Sequence, residues 1–269
     1  MDDVADLLTA YDAQLRVHVT EPLPGGVTVE RDGPVVRFLG GPAHGFVLYR
    51  DLAGLQGAAV DELIARQVAR FSGRSERFEW KLHGHDRPAD LPERLRAAGF
   101  VAEDEETVVI AQVAAIAGQP RSPDGVSLHE VTDRRDFDRI AALEGAVWGT
   151  EHRGLADMLE AEREADADAL AIVVAEAAGE VVCAGWVRFE RGTEFATLWG
   201  GATLTAWRGR GIYRATVVHR ANLAAERGFR YLEVDASDAS RPILERLGFT
   251  AVTTTTPYVW SPPTAPAGS

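Results

Sequence analysis

The chain has 269 residues, of which 46% are apolar and 26% are charged. This composition is typical of a soluble globular protein and excludes a disordered or fibrous one, and the length allows two modest domains. The formal net charge of -13 argues against nucleic acid as a partner, because phosphate binding needs a basic surface, whereas it suits cationic ligands such as amines.

The N-terminus does not have the pattern of a secretory signal. Residues 1–6 are acidic where a secretory signal would be basic, and no apolar stretch approaches the roughly 20 residues that span a bilayer. Cys183 is the one cysteine, so a disulfide within the chain is impossible, and its apolar surroundings indicate a buried strand residue. We therefore expect a cytoplasmic protein with no membrane partner.

The first half contains a helical stretch over residues 60–71 and a second one over 91–100, which is followed by a strand over 106–110. Between the two helices, His83 and His85 could offer two metal ligands on a loop. No third ligand stands at a recognisable spacing, so we interpret both as polar loop histidines and predict no metal site.

A Pro- and Gly-rich segment divides the sequence. Residues 120–125 follow an apolar run and precede an alternating one, which predicts an interdomain linker. The predicted domains are residues 1–119 and 126–260. Residues 261–269 are rich in Pro, Ala, Ser and Gly and are expected to form a disordered tail.

The second half begins with a helix that Asp133 can cap and continues with a helix near 155–164. Three successive strands follow, and their short connections favour antiparallel pairing. A glycine-rich loop then leads into a helix that Gly228 ends, and a strand over 231–234 comes next. This order predicts a βαβ crossover attached to an antiparallel meander.

The two halves end alike. In each, a short apolar-periodic helix ends at a Gly-Phe pair, Gly99-Phe100 in the first half and Gly248-Phe249 in the second, and an apolar strand follows. Glycine after the last turn is a helix C-cap signal. A duplicated unit explains this similarity.

The glycine-rich loop carries the chemistry. Gly209 and Gly211 remove side chains where the backbone turns from strand into helix, so that successive N–H groups can point at an anion beside the positive end of the helix dipole. Arg208, Arg210 and Arg214 add positive charge in an acidic protein. A diphosphate is the ligand that this loop predicts.

Two known phosphate-binding patterns do not fit this loop fully. The P-loop pattern is excluded, because no Gly-Lys-Ser or Gly-Lys-Thr follows at the required spacing. The dinucleotide fingerprint matches in part, since Gly209 and Gly211 are correctly spaced and Glu233 ends the next strand. Its third glycine, however, is Arg214, and the chain offers one βαβ unit where that fold needs several.

Residues 126–260 resemble the GCN5-related N-acetyltransferase (GNAT) superfamily. Its hallmark is Arg or Gln, two residues, Gly, one residue, then Gly or Ala; Arg208, Gly211 and Tyr213 fall on these positions, and residues 243–249 resemble the closing helix of the family. The resemblance implies an α+β protein with two GNAT-like domains in tandem, each a mixed, mostly antiparallel sheet flanked by helices. The first copy lacks the hallmark and is expected to be degenerate.

The resemblance implies an N-acetyltransferase that moves an acetyl or related acyl group from acyl-CoA to a primary amine in a ternary complex. Acetyl-CoA is the expected donor, and the acceptor is a small-molecule or peptide amine whose identity the sequence leaves open, as it does the oligomeric state, a homodimer included. The residues expected to bind the cofactor are Ala202, Thr203, Arg208, Gly209, Arg210, Gly211, Ile212, Tyr213, Arg214 and Ser237.

Two positions depart from the family pattern. Tyr213 replaces the small last residue of the hallmark, and it either crowds the phosphate or points away. Leu244 stands where many members carry a tyrosine that protonates the departing thiolate. These departures leave open a second function, that of a catalytically inactive acyl-CoA-binding or sensing protein.

A carboxylate is needed to take the proton of the attacking amine. Glu233 resembles in type and place a glutamate that some relatives use, and the alternative is a surface-facing strand residue without a catalytic role. Glu190 and Glu194 are weaker candidates, because the turn between them is expected to expose both.

Overall fold

The computed structural model describes residues 3–41, 44–149 and 153–263. The helices are α1 (Val4–Gln14), α2 (Ala58–Ser72), α3 (Leu91–Ala97), α4 (Val113–Ile116), α5 (Arg134–Trp148), α6 (Arg153–Ala165), α7 (Ile212–Glu226) and α8 (Arg241–Leu247). The strands are β1 (Thr28–Asp32), β2 (Val35–Leu39), β3 (Gly45–Tyr49), β4 (Phe78–His83), β5 (Val101–Ala102), β6 (Glu106–Gln112), β7 (Val126–Val131), β8 (Leu170–Ala177), β9 (Glu180–Phe189), β10 (Phe195–Thr203), β11 (Tyr231–Ala236) and β12 (Thr250–Trp260).

The chain forms two compact units. The N-unit contains Leu8–His18, Gly26–Glu106 and the described residues from Thr253 onward. The C-unit contains the described residues up to Leu7 together with Val19–Gly25 and Thr107–Val252.

The strand order in the C-unit is β6-β11-β10-β9-β8-β7. The pair β10–β11 is parallel and the other neighbours are antiparallel. Helix α7 connects the parallel pair, which makes the predicted βαβ crossover. The N-unit repeats this plan in the order β1-β2-β3-β4-β12, where β3–β4 is the parallel pair and α2 is its connecting helix. The predicted tandem of mixed, mostly antiparallel sheets is confirmed.

Each unit is completed by the last strand of the other half of the sequence. Strand β6 belongs to the first half but pairs with β11, and β12 belongs to the second half but pairs with β4. The compact units therefore differ from the predicted domains 1–119 and 126–260. Nearly all of strand β6 of the first half lies in the C-unit, and most of β12 of the second half lies in the N-unit. The physical reason is that strand pairing is a tertiary property, so composition alone does not assign either strand to its own half.

The closing helices of the two halves share one geometry. Gly99 and Gly248 follow α3 and α8 with φ of 91° and 113°. The next residue donates its backbone N–H five residues back, from Phe100 to Leu95 and from Phe249 to Leu244, each at 3.1 Å. This bond is the Schellman motif that glycine permits, so the predicted C-caps are confirmed.

The C-unit sheet carries helices on both faces. One apolar core lies under α7 and α8 and includes Val217 and Leu244, while another lies under α5 and α6 and includes Ile140 and Leu159. Strand β8 is buried along nearly all of its length because both faces are covered.

The predicted helix and strand positions of the second half are confirmed, with one local difference. Asp133 is the N-cap residue of α5, but its side chain makes no capping hydrogen bond. Cys183 is fully buried on β9, as predicted. Within the described residues no helix is both long enough and apolar enough to cross a bilayer. The predicted tail falls largely on residues 264–269, which lie outside the described part of the chain.

Candidate acyl-CoA site

Strands β10 and β11 stop pairing partway along β10. Their parallel register ends at Thr197↔Glu233, whereas β10 continues to Thr203. An irregularity between Gly200 and Ala202 shifts the register of β10 against β9 at this point. The backbone of β10 beyond Thr197 therefore has an edge that faces away from β9 and is not paired with β11, which is where an extended ligand could add as a strand.

The glycine-rich loop leads directly into α7. Gly209 and Gly211 have φ of 74° and 82°, which side chains rarely adopt, and Gly211 is the N-cap of the helix. No described side chain caps this end, and its first turn contains no acidic residue. The first N–H groups of α7 thus lie beside an exposed loop, in the arrangement that binds anions.

Three exposed arginines surround this helix end, namely Arg208, Arg210 and Arg214. Arg208 donates from Nε to the backbone oxygen of Thr203 at 3.0 Å, which ties the loop to the end of β10. The guanidinium of Arg210 lies 4.6 Å from the ring centroid of Trp207. The residues present fit a diphosphate: charge, uncapped N–H groups and backbone without side chains coincide.

Tyr213 points away from the loop. Its ring packs against the core under α7 and lies against Gly201, where a Cβ atom would be 2.5 Å from Cε2 of the ring. Burial raises the pKa of the Tyr213 phenol. The tyrosine at the last hallmark position therefore does not crowd a phosphate, and it links the bulge of β10 to the first turn of α7.

The other departure from the family pattern, Leu244, is a core residue. Leu244 is fully buried in the core under α8, so this position provides no proton donor. Ser237 lies after β11, half-buried, with its hydroxyl 3.2 Å from that of Ser240. Its role toward a cofactor stays a prediction.

Glu233 is buried, with 6% of its surface exposed, so the alternative of a surface-facing residue is wrong. Strand β11 is an interior strand of the sheet, between β6 and β10, and not an exposed edge strand. Glu233 is paired with Thr197, whose hydroxyl donates to Glu190 at 2.8 Å. The indole of Trp199 donates to the same hydroxyl at 2.8 Å.

Glu190 is also less exposed than expected. Its second carboxylate oxygen accepts a 2.8 Å bond from Thr20, and the side chain is half-buried. The turn exposes Glu194 as predicted. Glu190 therefore shares a polar cluster with Thr197 and Trp199, and Thr197 is the register partner of Glu233 at the end of the β10–β11 pairing.

The two histidines considered as metal ligands, His83 and His85, are not both loop residues. His83 is the buried last residue of β4 and bonds to the hydroxyl of Tyr11 at 2.9 Å, because pairing with β12 extends the strand to this position. Burial lowers its pKa strongly. His85 contacts Asp12 and Thr253. Among the described residues no three His, Cys, Asp or Glu side chains converge as metal ligands.

Two buried charges of the C-unit were not predicted. Arg220 on α7 is 1% exposed and donates from Nη1 to the backbone oxygens of Trp186 and Trp199 at 3.1 and 2.9 Å. Glu144 on α5 is 6% exposed. A charge on the apolar face of a helix was the available signal for Glu144, since it stands four residues after Ile140.

A sequence model of the Acetyltransferase (GNAT) family matches residues 135–249. No significant match is found among curated protein sequences.

The fold is that of solved acetyltransferases. A GCN5-related N-acetyltransferase from Kribbella flavida matches 98% of this chain and 95% of its own, with a TM-score of 0.65 and 14% identity. A tandem GNAT protein from the clavulanic acid biosynthesis pathway matches 97% of this chain and 95% of its own, with a TM-score of 0.59 and 16% identity. A GCN5-related N-acetyltransferase from Sphaerobacter thermophilus matches 87% and 76%, at a TM-score of 0.60 and 13% identity.

Fold and family match together define an acyltransferase. The second half of the chain is similar to the GNAT family over residues 135–249, and the N-unit repeats the strand plan of the C-unit.

Proposed function

We propose that the chain is an N-acyltransferase that transfers an acetyl or related acyl group from its CoA thioester to a primary amine, in a ternary complex of donor, acceptor and enzyme. The observation that carries this proposal is the coincidence of the uncapped start of α7, the glycines at 209 and 211, and the unpaired stretch of β10. Acetyl-CoA, when bound, supplies the acyl group, and its C–S bond breaks as the new C–N bond forms.

The residues proposed to hold the donor follow from this arrangement. Residues 208–214 bind the diphosphate through backbone N–H groups and the charges of Arg208, Arg210 and Arg214. The backbone of Ala202 and Thr203 accepts the pantetheine arm as an added strand and polarises the thioester carbonyl. Ser237 is proposed as a further contact.

Glu233 is proposed to take the proton that the amine must lose before its nitrogen can attack. Support comes from its burial and from its position as the last residue of β11 that is in register with β10, at the point where these two strands separate. A carboxylate at this point can act directly or through water.

A catalytically inactive acyl-CoA-binding protein is the second candidate, because buried Leu244 provides no acid for the leaving thiolate. A thiol with a pKa near about 8.5 leaves well without such help, which favours the enzyme.

The test is release of free CoA thiol from acetyl-CoA in the presence of a panel of small amines and peptides. We expect steady turnover with at least one amine, and loss of acetyl-CoA binding in Gly211→Glu, whose carboxylate would lie at the phosphate site. Gly192→Glu, on an exposed turn with nothing within 4 Å of a Cβ atom, is the matched control. Acetyl-CoA binding without turnover across the panel would favour the second candidate, and binding by a folded Gly211→Glu protein would contradict the phosphate site.

A further inference from the structure

The carboxylate of Glu144 lies in an apolar setting. It projects from the same face of α5 as Phe137 and Ile140, seven and four residues earlier, and that face packs on the sheet of the C-unit. Only 6% of the residue is exposed. Carboxylates are rarely buried to this degree unless a charged partner or several hydrogen bonds compensate them.

Compensation at Glu144 is incomplete. Oε2 accepts a 2.7 Å bond from the indole nitrogen of Trp148, whereas Oε1 is buried and has no hydrogen-bond partner among the described residues. No described Arg, Lys or His forms an ion pair with it. Burial raises the pKa of Glu144, and the bond from Trp148 lowers it by less.

Glu144 lies over the part of the sheet proposed to hold the donor. Helix α5 packs over β9 and β10, and its apolar face shares a core with Ala202. Glu144 therefore lies on the helix face whose apolar residues Phe137 and Ile140 share a core with Ala202, one of the two residues proposed to polarise the thioester.

We infer that Glu144 binds the ammonium group of the acceptor, with Oε1 accepting its hydrogen bond. This inference rests on the proposed function. It restricts the acceptor substrates to amines that bind in their protonated, positively charged form. An ammonium carries donors only, so it matches an oxygen that lacks a donor. The resulting ion pair would form at a carboxylate that is itself buried, and a charge-assisted hydrogen bond is stronger than a neutral one.

Glu144→Gln tests the inference, because the amide keeps the shape of the side chain and removes its charge. For an amine found in the thiol-release panel, KM for the amine is expected to rise roughly 10- to 100-fold, the loss of one hydrogen bond to a charged group. KM for acetyl-CoA should stay within about threefold. Glu144→Asp keeps the charge on a shorter side chain and should give an intermediate KM. The control Asp138→Asn removes an exposed carboxylate from the same helix and should change neither constant.

An unchanged KM for the amine in Glu144→Gln would overturn the inference while leaving the proposed function intact. A second readout does not need turnover: the pKa of Glu144, followed by carbon NMR of labelled glutamate, should fall when propylammonium or putrescine is added. A fall in a protein that releases no thiol would support the inference and contradict the proposed function. No change in that pKa with either probe would overturn the inference.

Discussion

Arg16 donates from Nε to the backbone oxygen of Tyr49 at 3.1 Å. Tyr49 ends β3, two residues after Val47↔Trp80, which is the last register pair of β3 with β4. In the N-unit, therefore, the point where the two parallel strands separate is filled by a side chain. Asp86 completes this plug, since it accepts bonds from the guanidinium of Arg16 at 2.8 Å and from the hydroxyl of Tyr49.

The plug predicts that each chain binds one acyl-CoA. The helix that follows β3 also begins differently from α7, with Asp61 in its first turn, a charge that would repel a diphosphate. Calorimetric titration with acetyl-CoA should give a stoichiometry near one, and the double variant Arg208→Ala, Gly211→Glu should bind none. A second equivalent that survives both substitutions would show that the N-unit retains a site.

Breaking the plug should destabilise the protein. The side chains of Arg16 and Asp86 are 0% and 5% exposed, so Arg16→Ala leaves a buried carboxylate without its cation, at a cost of about 3–5 kcal/mol in the free energy of unfolding. In the control Arg66→Ala, the lost partner is Asp32 and the arginine side chain is 51% exposed, so the cost should stay below about 1 kcal/mol. Denaturant unfolding measures both. Equal costs would mean that the plug contributes no more than a surface pair.

Gly201→Ala should weaken acetyl-CoA binding. The added Cβ atom would lie 2.5 Å from Cε2 of Tyr213, and φ at this residue is +102°, so either the ring or the bulge must move. Because Tyr213 is in the first turn of α7, its displacement disturbs the proposed phosphate site. Gly228→Ala is the control, since φ is +78° there but nothing lies within 4 Å. Titration of the folded variants with acetyl-CoA should give a dissociation constant at least about tenfold above that of the parent for Gly201→Ala, and an unchanged constant for Gly228→Ala. Equal dissociation constants for the two variants would contradict a coupling between Gly201, Tyr213 and the phosphate site.

Sequence alone could predict the start of α7, because glycine, arginine and helix periodicity are local signals. The exchange of β6 and β12 could not be predicted in this way, since only tertiary pairing assigns either strand to a unit. The direction of Tyr213 depended on the space beside Gly201, which the sequence does not encode locally.

Of the two buried charges of the C-unit, one could have been recognised from the sequence and the other could not. Glu144 breaks an apolar face at helical spacing and could have been noticed from the sequence. Arg220 gives no such signal, because its partners are backbone oxygens on β9 and β10, which come together only in the folded sheet. The surface-facing alternative for Glu233 was wrong for a similar reason. Strand β6, which makes β11 an interior strand, comes from the other half of the sequence.

Glu233→Gln should lower turnover if this carboxylate removes the amine proton. The expected loss in kcat is roughly 10²- to 10⁴-fold, the range for a general base, with little change in acetyl-CoA affinity. Glu194→Gln is the control, because that glutamate is exposed on the turn before β10. Turnover that stays equal to the parent across a range of pH would return Glu233 to a structural role.

Glu144→Gln should make the protein more stable at neutral pH while it impairs the enzyme. Burial raises the pKa of Glu144 in the folded state, whereas a glutamate in the unfolded chain ionises near about 4.3. The folded state thus holds this proton to higher pH, and the stability linked to it is complete below the unfolded pKa and is lost as pH rises through the folded pKa.

Glutamine does not titrate, so the stability difference between Glu144→Gln and the parent should grow from about pH 4 to a plateau at higher pH. Thermal or denaturant unfolding at several pH values, without amine, measures this difference. The control Asp138→Asn should stay within about 0.5 kcal/mol of the parent. A functional carboxylate with an unpaired oxygen costs stability, whereas a structural one contributes it. A Glu144→Gln protein less stable than the parent at pH 8 would therefore identify Glu144 as a structural residue.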